Sequence, residues 1–143
     1  MTAGYSGTPL PKKLGIKPES RVLLVDAPAD FRSVDLAEVP PGVTVETEPG
    51  GPAYDVVVLF VRSTDELLER FESHTRLITP AGRLWVAWPR KAGGFASDVT
   101  ENAIRDEALA LGLVDNKVAA MSAAWSGLQI VHRVKNRPAK ATR

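Results

Sequence analysis

The sequence predicts a three-layer α/β domain: a mostly parallel sheet with helices on both faces, closed by a C-terminal antiparallel β-hairpin. Three observations carry this expectation. YDVVVLFV (54–61) and RLWVAW (83–88) are apolar at successive rather than alternate positions, the pattern of strands buried on both faces of a parallel sheet. Segments of helical period separate such runs, so strand and helix alternate along most of the chain. The last two runs, VDNKVAAM and LQIVHRV, are joined only by SAAWSG, a connection short enough to require antiparallel pairing.

Element by element, residues 1–20 are rich in Gly, Pro and Lys and read as an arm with one helical turn around PLPKKLG. Arg21 to Val25 is a short buried strand bounded by turn residues. ADFRSVDLAEV is expected to form a short helix that PPG (40–42) ends. VTVETE alternates apolar and polar residues, which suits an exposed or edge strand, and GGP (50–52) turns the chain into YDVVVLFV. Ser63 and Glu66 have capping-box spacing at the start of DELLERFESHTRLI. Leu67, Leu68, Phe71 and Ile78 form its apolar stripe, Glu66, Glu69, Arg70 and Glu72 face water, and Pro80 with Gly82 stop it. After RLWVAW and Pro89 comes the glycine-containing loop KAGGFAS. Asp98 and Glu101 are expected to cap a helix whose inner face is Ile104, Ala108 and Leu111 and whose stop is Gly112.

With 143 residues the chain has the length of one domain. The expected organisation is an arm (1–20), an α/β domain (21–134) and a basic, disordered tail (135–143). Net charge is +1, yet residues 1–133 hold 14 basic against 17 acidic side chains. Lys135, Arg137, Lys140 and Arg143 supply the difference. Such a tail can touch nucleic acid or an acidic partner, but the mildly acidic body favours a solubilising role over nucleic-acid binding. The longest uncharged apolar run, VVVLFV (56–61), is too short to span a bilayer. The N-terminus has no apolar core of the kind a secretory signal needs, so a cytoplasmic protein is expected. The absence of cysteine excludes disulfides, thiolate metal sites and a Cys nucleophile.

The second half resembles a class I methyltransferase domain. LITPAGRLWVAWP is similar to the helix-to-strand passage before that superfamily's fifth strand, and YDVVVLFV to its fourth. ALALGLVDNKV and WSGLQIVHR are similar to its last helix and hairpin. Taken whole, GYSGTPLPKKLGIKP, WVAWP and WSGLQIVHR resemble a narrower family of small bacterial proteins of unknown function. The methyltransferase resemblance covers roughly residues 21–134 and implies a Rossmann-like fold, and the narrower one implies a fold with no established activity.

The methyltransferase likeness directs attention to VLLVDAPADF (22–31). Laid on that superfamily's VLDLGCGTG loop, Val22 and Leu23 match, while Asp26, Pro28 and Asp30 fall on its three glycines. Those glycines admit the cofactor to the backbone and adopt torsions that a Cβ opposes. Proline also removes a donor N–H. The acid of the motif falls on Leu24, which cannot hydrogen-bond. Glu46 or Glu48 could stand for the ribose-binding acid, although carboxylates are common enough in this chain for the spacing to arise by chance. Ordinary S-adenosylmethionine binding is therefore not expected, and no cofactor is assigned.

Ligands of open α/β sheets sit beyond the carboxyl ends of the strands. There the topology gathers Asp26 and Asp30, Arg62 with Ser63, and Trp88 with Arg90 and Lys91. Asp26, Asp30, Arg62, Trp88 and Lys91 are accordingly the candidate ligand-binding residues, suited to a small anion or a flat ring. The plainer alternative makes the cations solvated loop residues and Trp88 part of the core, and lets Asp26 cap a local turn. Trp88 shares a strand face with Leu84 and Val86, whereas Trp85 points the other way with Ala87. Trp125, placed in the hairpin turn, and Tyr5, in the arm, are candidate partner contacts, Trp125 equally a lid over the crevice. The arm is otherwise expected to cover its own sheet.

No catalytic constellation emerges. His74 and His132 lack neighbouring ligands at metal spacing. The serines show neither a G-x-S-x-G elbow nor a His–acid partner, and there is no G-x-x-x-x-G-K-[ST] loop. The leading expectation is a non-catalytic binding or regulatory module that meets a protein or small ligand, not a membrane. Its rival is an atypical S-adenosylmethionine- or nucleotide-binding enzyme.

Overall fold

The computed structural model describes residues 9–51, 53–90 and 97–133. The positions of Tyr5, Lys91 and the basic segment 134–143 lie outside them.

Six strands form one sheet: β1 (Arg21–Val25), β2 (Thr44–Glu46), β3 (Tyr54–Phe60), β4 (Ile78–Pro89), β5 (Leu113–Ala120) and β6 (Trp125–His132). Their order is β2-β1-β3-β4-β6-β5. The first four run parallel, and β6 lies antiparallel between β4 and β5. Three helices accompany them: α1 (Leu10–Lys13), α2 (Thr64–Thr75) and α3 (Glu101–Ala110).

The buried side chains divide into two clusters, one on each face of the sheet. Leu67 and Phe71 of α2 and Ile104 and Ala108 of α3 pack with Leu23, Val57, Leu59, Leu84, Val86 and Leu128. On the opposite face, Leu10, Leu14 and Ile16 of the arm and Phe31 and Leu36 of the β1–β2 loop cover Leu24, Val58, Trp85 and Ala87. The three layers expected from sequence are thus present. The second face is covered by a one-turn helix and a loop, which suffices because its cluster includes large rings such as Trp85 and Phe60. The indole Nε1 of Trp85 donates to the Leu14 carbonyl at 3.1 Å, fastening the arm onto the sheet.

Several boundaries differ from expectation. ADFRSVDLAEV makes only a π-helical turn at Phe31–Asp35. α2 ends at Thr75, because β4 begins at Ile78, which pairs with Tyr54. Pro80 and Gly82 therefore lie inside β4, in a bulge: Tyr54 pairs with Ile78, but Val56 already pairs with Arg83. A Cβ on Gly82 would lie 2.8 Å from Thr79 Oγ1 and 3.0 Å from the carbonyl oxygens of Tyr54 and Asp55, so a larger residue would have to push the bulge away from the strand. Leu68 is 55% exposed and Leu111 40%, so neither belongs to the buried stripe of its helix. Arg70 does not simply face water; it reaches the end of β1.

The caps also rearrange. Ser63 Oγ accepts the Glu66 amide at 3.1 Å, and the Glu66 carboxylate accepts the Arg62 amide at 2.9 Å, one residue earlier than a reciprocal box requires. α3 is capped by Thr100, whose Oγ1 accepts the Ala103 amide at 3.1 Å. Asp98 instead accepts the Thr64 amide at 2.8 Å, capping α2 from the segment that leads into α3. Finally, Trp125 begins β6 rather than standing in the turn, and is only 4% exposed.

Candidate functional site

The carboxyl ends of β1, β3 and β4 bring Asp26, Arg62 and Trp125 together and leave Trp88 elsewhere. Asp26 follows β1 directly and has φ 58°, a left-handed conformation that Asp adopts more readily than most residues. Its carboxylate pairs with the Arg70 guanidinium of α2. Its carbonyl accepts from Arg62 Nη2 at 3.2 Å. Arg62 in turn places its Cζ 5.0 Å from the ring centroid of Trp125, within cation–π range. Asp30 is exposed, and its carbonyl accepts the Ser33 hydroxyl at 3.3 Å. Trp88 is half-buried against the cluster beneath α2 and α3, on the other face of the sheet from Trp125.

Beneath Asp26 the loop turns inward. The Phe31 amide donates to the Pro28 carbonyl at 3.0 Å, and the Phe31 ring is almost fully buried. It meets Phe60 edge-to-face at 4.9 Å between centroids, and Phe60 meets Trp125 the same way at 5.1 Å. A row of three aromatic rings thus crosses the strand ends from the β1 loop to β6. Edge-to-face pairs at this spacing add cohesion beyond area burial. Trp125 is a member of this row and does not stand out as an exposed anchor.

The other features expected of a nucleotide site are engaged internally. Glu46 binds Arg21 twice, Nε to Oε2 at 2.8 Å and Nη2 to Oε1 at 3.2 Å. Its Oε1 also accepts the Tyr54 hydroxyl at 2.5 Å. The Arg21 hydrogen bond, followed by that of Tyr54, holds the Glu46 carboxyl below its ordinary range. Leu24, where the loop motif would place its acid, is buried in the core. The first amides of α2 are bound by Asp98 and Ser63, which leaves a poor anion-binding terminus. The Thr64 amide holds the Asp98 carboxyl below its ordinary range. Asp35 moves upward, first through burial and then through the charge of Asp30.

These residues offer no array for nucleophilic or metal chemistry: no group of three or more His, Asp or Glu could hold a metal ion among the described residues. Nor is any described helix long and apolar enough to cross a membrane. Residue type and spacing alone do not single out Arg70, Phe31 or Phe60. Phe60 ends the apolar run VVVLF of β3 and Phe31 closes the loop, but their contact depends on the turn at Asp26, which residue type alone does not specify.

The family described as "Protein of unknown function (DUF3052)" matches residues 25–134. No curated protein matches the chain. Among solved structures, the chain is similar to magnesium protoporphyrin IX methyltransferase (ChlM) from Synechocystis PCC 6803 with bound SAM. That likeness has a TM-score of 0.54 and 14% identity, covering 87% of this chain and 74% of that one. It is also similar to LepI in complex with SAM, with a TM-score of 0.51 and 16% identity, covering 87% of this chain but only 39% of LepI. At these identities the likeness shows the fold: a methyltransferase-like, Rossmann-type α/β domain.

Proposed function

We propose, from the premise that this chain belongs to the DUF3052 family, that it is a non-catalytic binding or regulatory module that keeps the methyltransferase-like scaffold without its cofactor site. The observation that carries this reading is the closure of the strand ends by the protein's own side chains. Phe31, Phe60 and Trp125 pack across them, and Asp26 is paired with Arg70 above. An adenosyl cofactor held in this fold needs a backbone it can approach, a free carboxylate and donor amides. The residues present do not fit it: Asp26 and Pro28 replace glycines, Glu46 is bound to Arg21, and the α2 amides are capped.

The rival reading, an atypical S-adenosylmethionine- or nucleotide-binding enzyme, draws support from the likeness to structures with bound SAM. It requires Phe31 to swing out of the core, at a penalty of the size that removing a buried phenylalanine carries. Thermal unfolding with millimolar S-adenosylmethionine, S-adenosylhomocysteine, NAD and ATP separates the two. A ligand at about 100 times its dissociation constant stabilises by roughly 2.7 kcal/mol, a shift of several degrees. The module reading expects no shift with any of the four. A shift with either adenosyl compound overturns it.

A further inference from the structure

On the sheet face under the N-terminal arm, the contacts match what the end of a helix requires. Leu10, Leu14 and Ile16 of the arm share one buried cluster with Leu24, Val58, Trp85, Ala87 and Met121. Above this apolar floor, three side chains of the sheet meet three consecutive residues of the arm. Lys117 Nζ on β5 donates to the Lys13 carbonyl at 3.1 Å, and Trp85 Nε1 on β4 donates to the Leu14 carbonyl at 3.1 Å. Gly15, the next residue, has φ 80° and passes so close to Arg83 that a Cβ there would collide with the guanidinium. Arg83 is steadied in turn by Gln129 Oε1 at 3.1 Å.

These donors answer a specific need. The last carbonyls of a helix have no partner within it, and a cation beside them also suits the helix dipole. The four residues of α1 are too few to hold a helix unaided, so α1 depends on the seat that completes its C-terminus. The arm is nevertheless a separable piece. The amides of Lys13, Leu14, Gly15 and Ile16 donate to the carbonyls of Pro9, Leu10, Lys12 and Pro11. This segment thus closes its own backbone bonds and takes none from the β-ladder. A turn follows before β1: the Lys17 amide donates to Ser20 Oγ at 3.0 Å, and the Ser20 amide to the Lys17 carbonyl at 3.1 Å. Departure from the seat would leave the amides of residues 13–16 satisfied and break only the latching contacts and the apolar packing.

We propose that the arm is an autoinhibitory strap, which occupies in cis a docking seat for the end of a partner's helix and leaves it by swinging on the Lys17–Ser20 turn. The seat specifies the chemistry of that partner segment. It carries two apolar residues four apart, hence on one helical face, free helix-end carbonyls for Lys117 and Trp85, and a glycine where Arg83 crowds the backbone. This is the helix-in-groove mode of recognition. A short tether holds the arm at an effective concentration on the order of millimolar, so an incoming segment must compete with it. The inference goes beyond the module reading and does not depend on it: the adenosyl melts read the strand ends, whereas the seat lies on the sheet face.

A labelled peptide of the arm itself, PLPKKLGIKPES (9–20), tests the strap by fluorescence anisotropy on the full-length protein. Leu14→Asp in the protein unseats its own arm and leaves every sheet residue in place. This variant should bind the peptide saturably and about tenfold or more tightly than the native protein, whose seat is filled. Leu14→Ala, a milder change, should give an intermediate affinity. The peptide carrying Leu14→Asp, or the same residues in scrambled order, should not bind. Adding Trp85→Phe to the Leu14→Asp protein removes the donor to the Leu14 carbonyl and should weaken the peptide several-fold. Hydrogen exchange on the native protein gives a second readout: the amides of residues 13–16 should exchange by a local opening, well before those of β3. Exchange of the arm only together with β3, or loss of the folded sheet in both Leu14 variants, would make the arm a fixed part of the core and overturn the proposal. A folded Leu14→Asp protein that ignores the peptide, or binds the scrambled one equally, would overturn it too.

Discussion

The carboxylate of Asp26, at the end of β1, is held by the guanidinium of Arg70 on α2. In a cofactor-binding Rossmann-type domain this loop opens toward a ligand. Here the helix on one face supplies the counter-charge instead, and Phe31 on the other face fills the space beneath. The loop's conformation, with Asp26 at φ 58°, is therefore fixed from both sides by the protein itself.

Asp26→Asn isolates the charge, because Asn tolerates the left-handed conformation as well as Asp does. Both side chains of the pair are partly exposed, Arg70 by 33% and Asp26 by 44%, so the loss should be modest, about 0.5–1 kcal/mol. Urea denaturation at low salt should show it. The gap between native and variant should narrow at high salt, where the pair is screened. No gap at low salt would mean that Arg70 does not hold the loop.

Phe60 stands between Phe31 and Trp125 and is fully buried. Phe60→Ala should destabilise by about 3–5 kcal/mol, the transfer and cavity terms together. Phe60→Leu keeps much of the volume but forfeits two edge-to-face contacts, each about 0.5–1.5 kcal/mol. The ordering Ala, then Leu, then native in denaturant midpoint is the expected result. A negligible effect of Phe60→Ala would contradict a packed row across the strand ends.

Much of this architecture is legible in the sequence. Continuous apolar runs mark β3 and β4, and the brevity of SAAWSG fixes the antiparallel β5–β6 pair. VTVETE is an edge strand as its alternation implies, because β2 ends the sheet. What escapes is the long-range pairing. Arg70 sits among glutamates on a helix, where local spacing assigns it to solvent, and only the packing of α2 over β1 presents it to Asp26. Asp98 likewise has the right spacing to cap α3, yet the proximity of Thr64 draws it to α2. Residue type assigns Trp125 to a turn because it stands within SAAWSG. The strand continues through both, and a Cβ on Gly127 would fall 2.6 Å from Met121 Sδ, showing how closely the hairpin packs there.

Glu46→Gln tests the network at the start of β1. Arg21 and Tyr54 hold the Glu46 carboxyl below its ordinary range. A depressed folded value means that the ionised form stabilises the fold above the unfolded pKa. That stability is lost as pH falls through the folded value. Thermal melts should place the native protein above Glu46→Gln at neutral pH, with the two converging well below about pH 4, where both proteins are neutral at this position. A constant offset down to the lowest pH would assign the effect to altered packing rather than charge.

Asp35 should behave with the opposite sign. Burial, then the neighbouring charge of Asp30, raises its carboxyl above the ordinary range. The folded state then binds this proton more tightly than the unfolded state does, so the ionised side chain destabilises the fold at neutral pH. The penalty disappears as pH falls from the raised folded value through the unfolded one, about pH 4. Asp35→Asn should therefore melt higher than the native protein at pH 7 and lose that advantage on acidification. Asp30→Asn should shift the melt in the same direction by less, since its charge is the lesser of the two causes. A lower melt for Asp35→Asn at pH 7 would overturn this assignment. Because Glu46→Gln and Asp35→Asn must diverge from the native curve in opposite directions at neutral pH, one series of melts checks both signs.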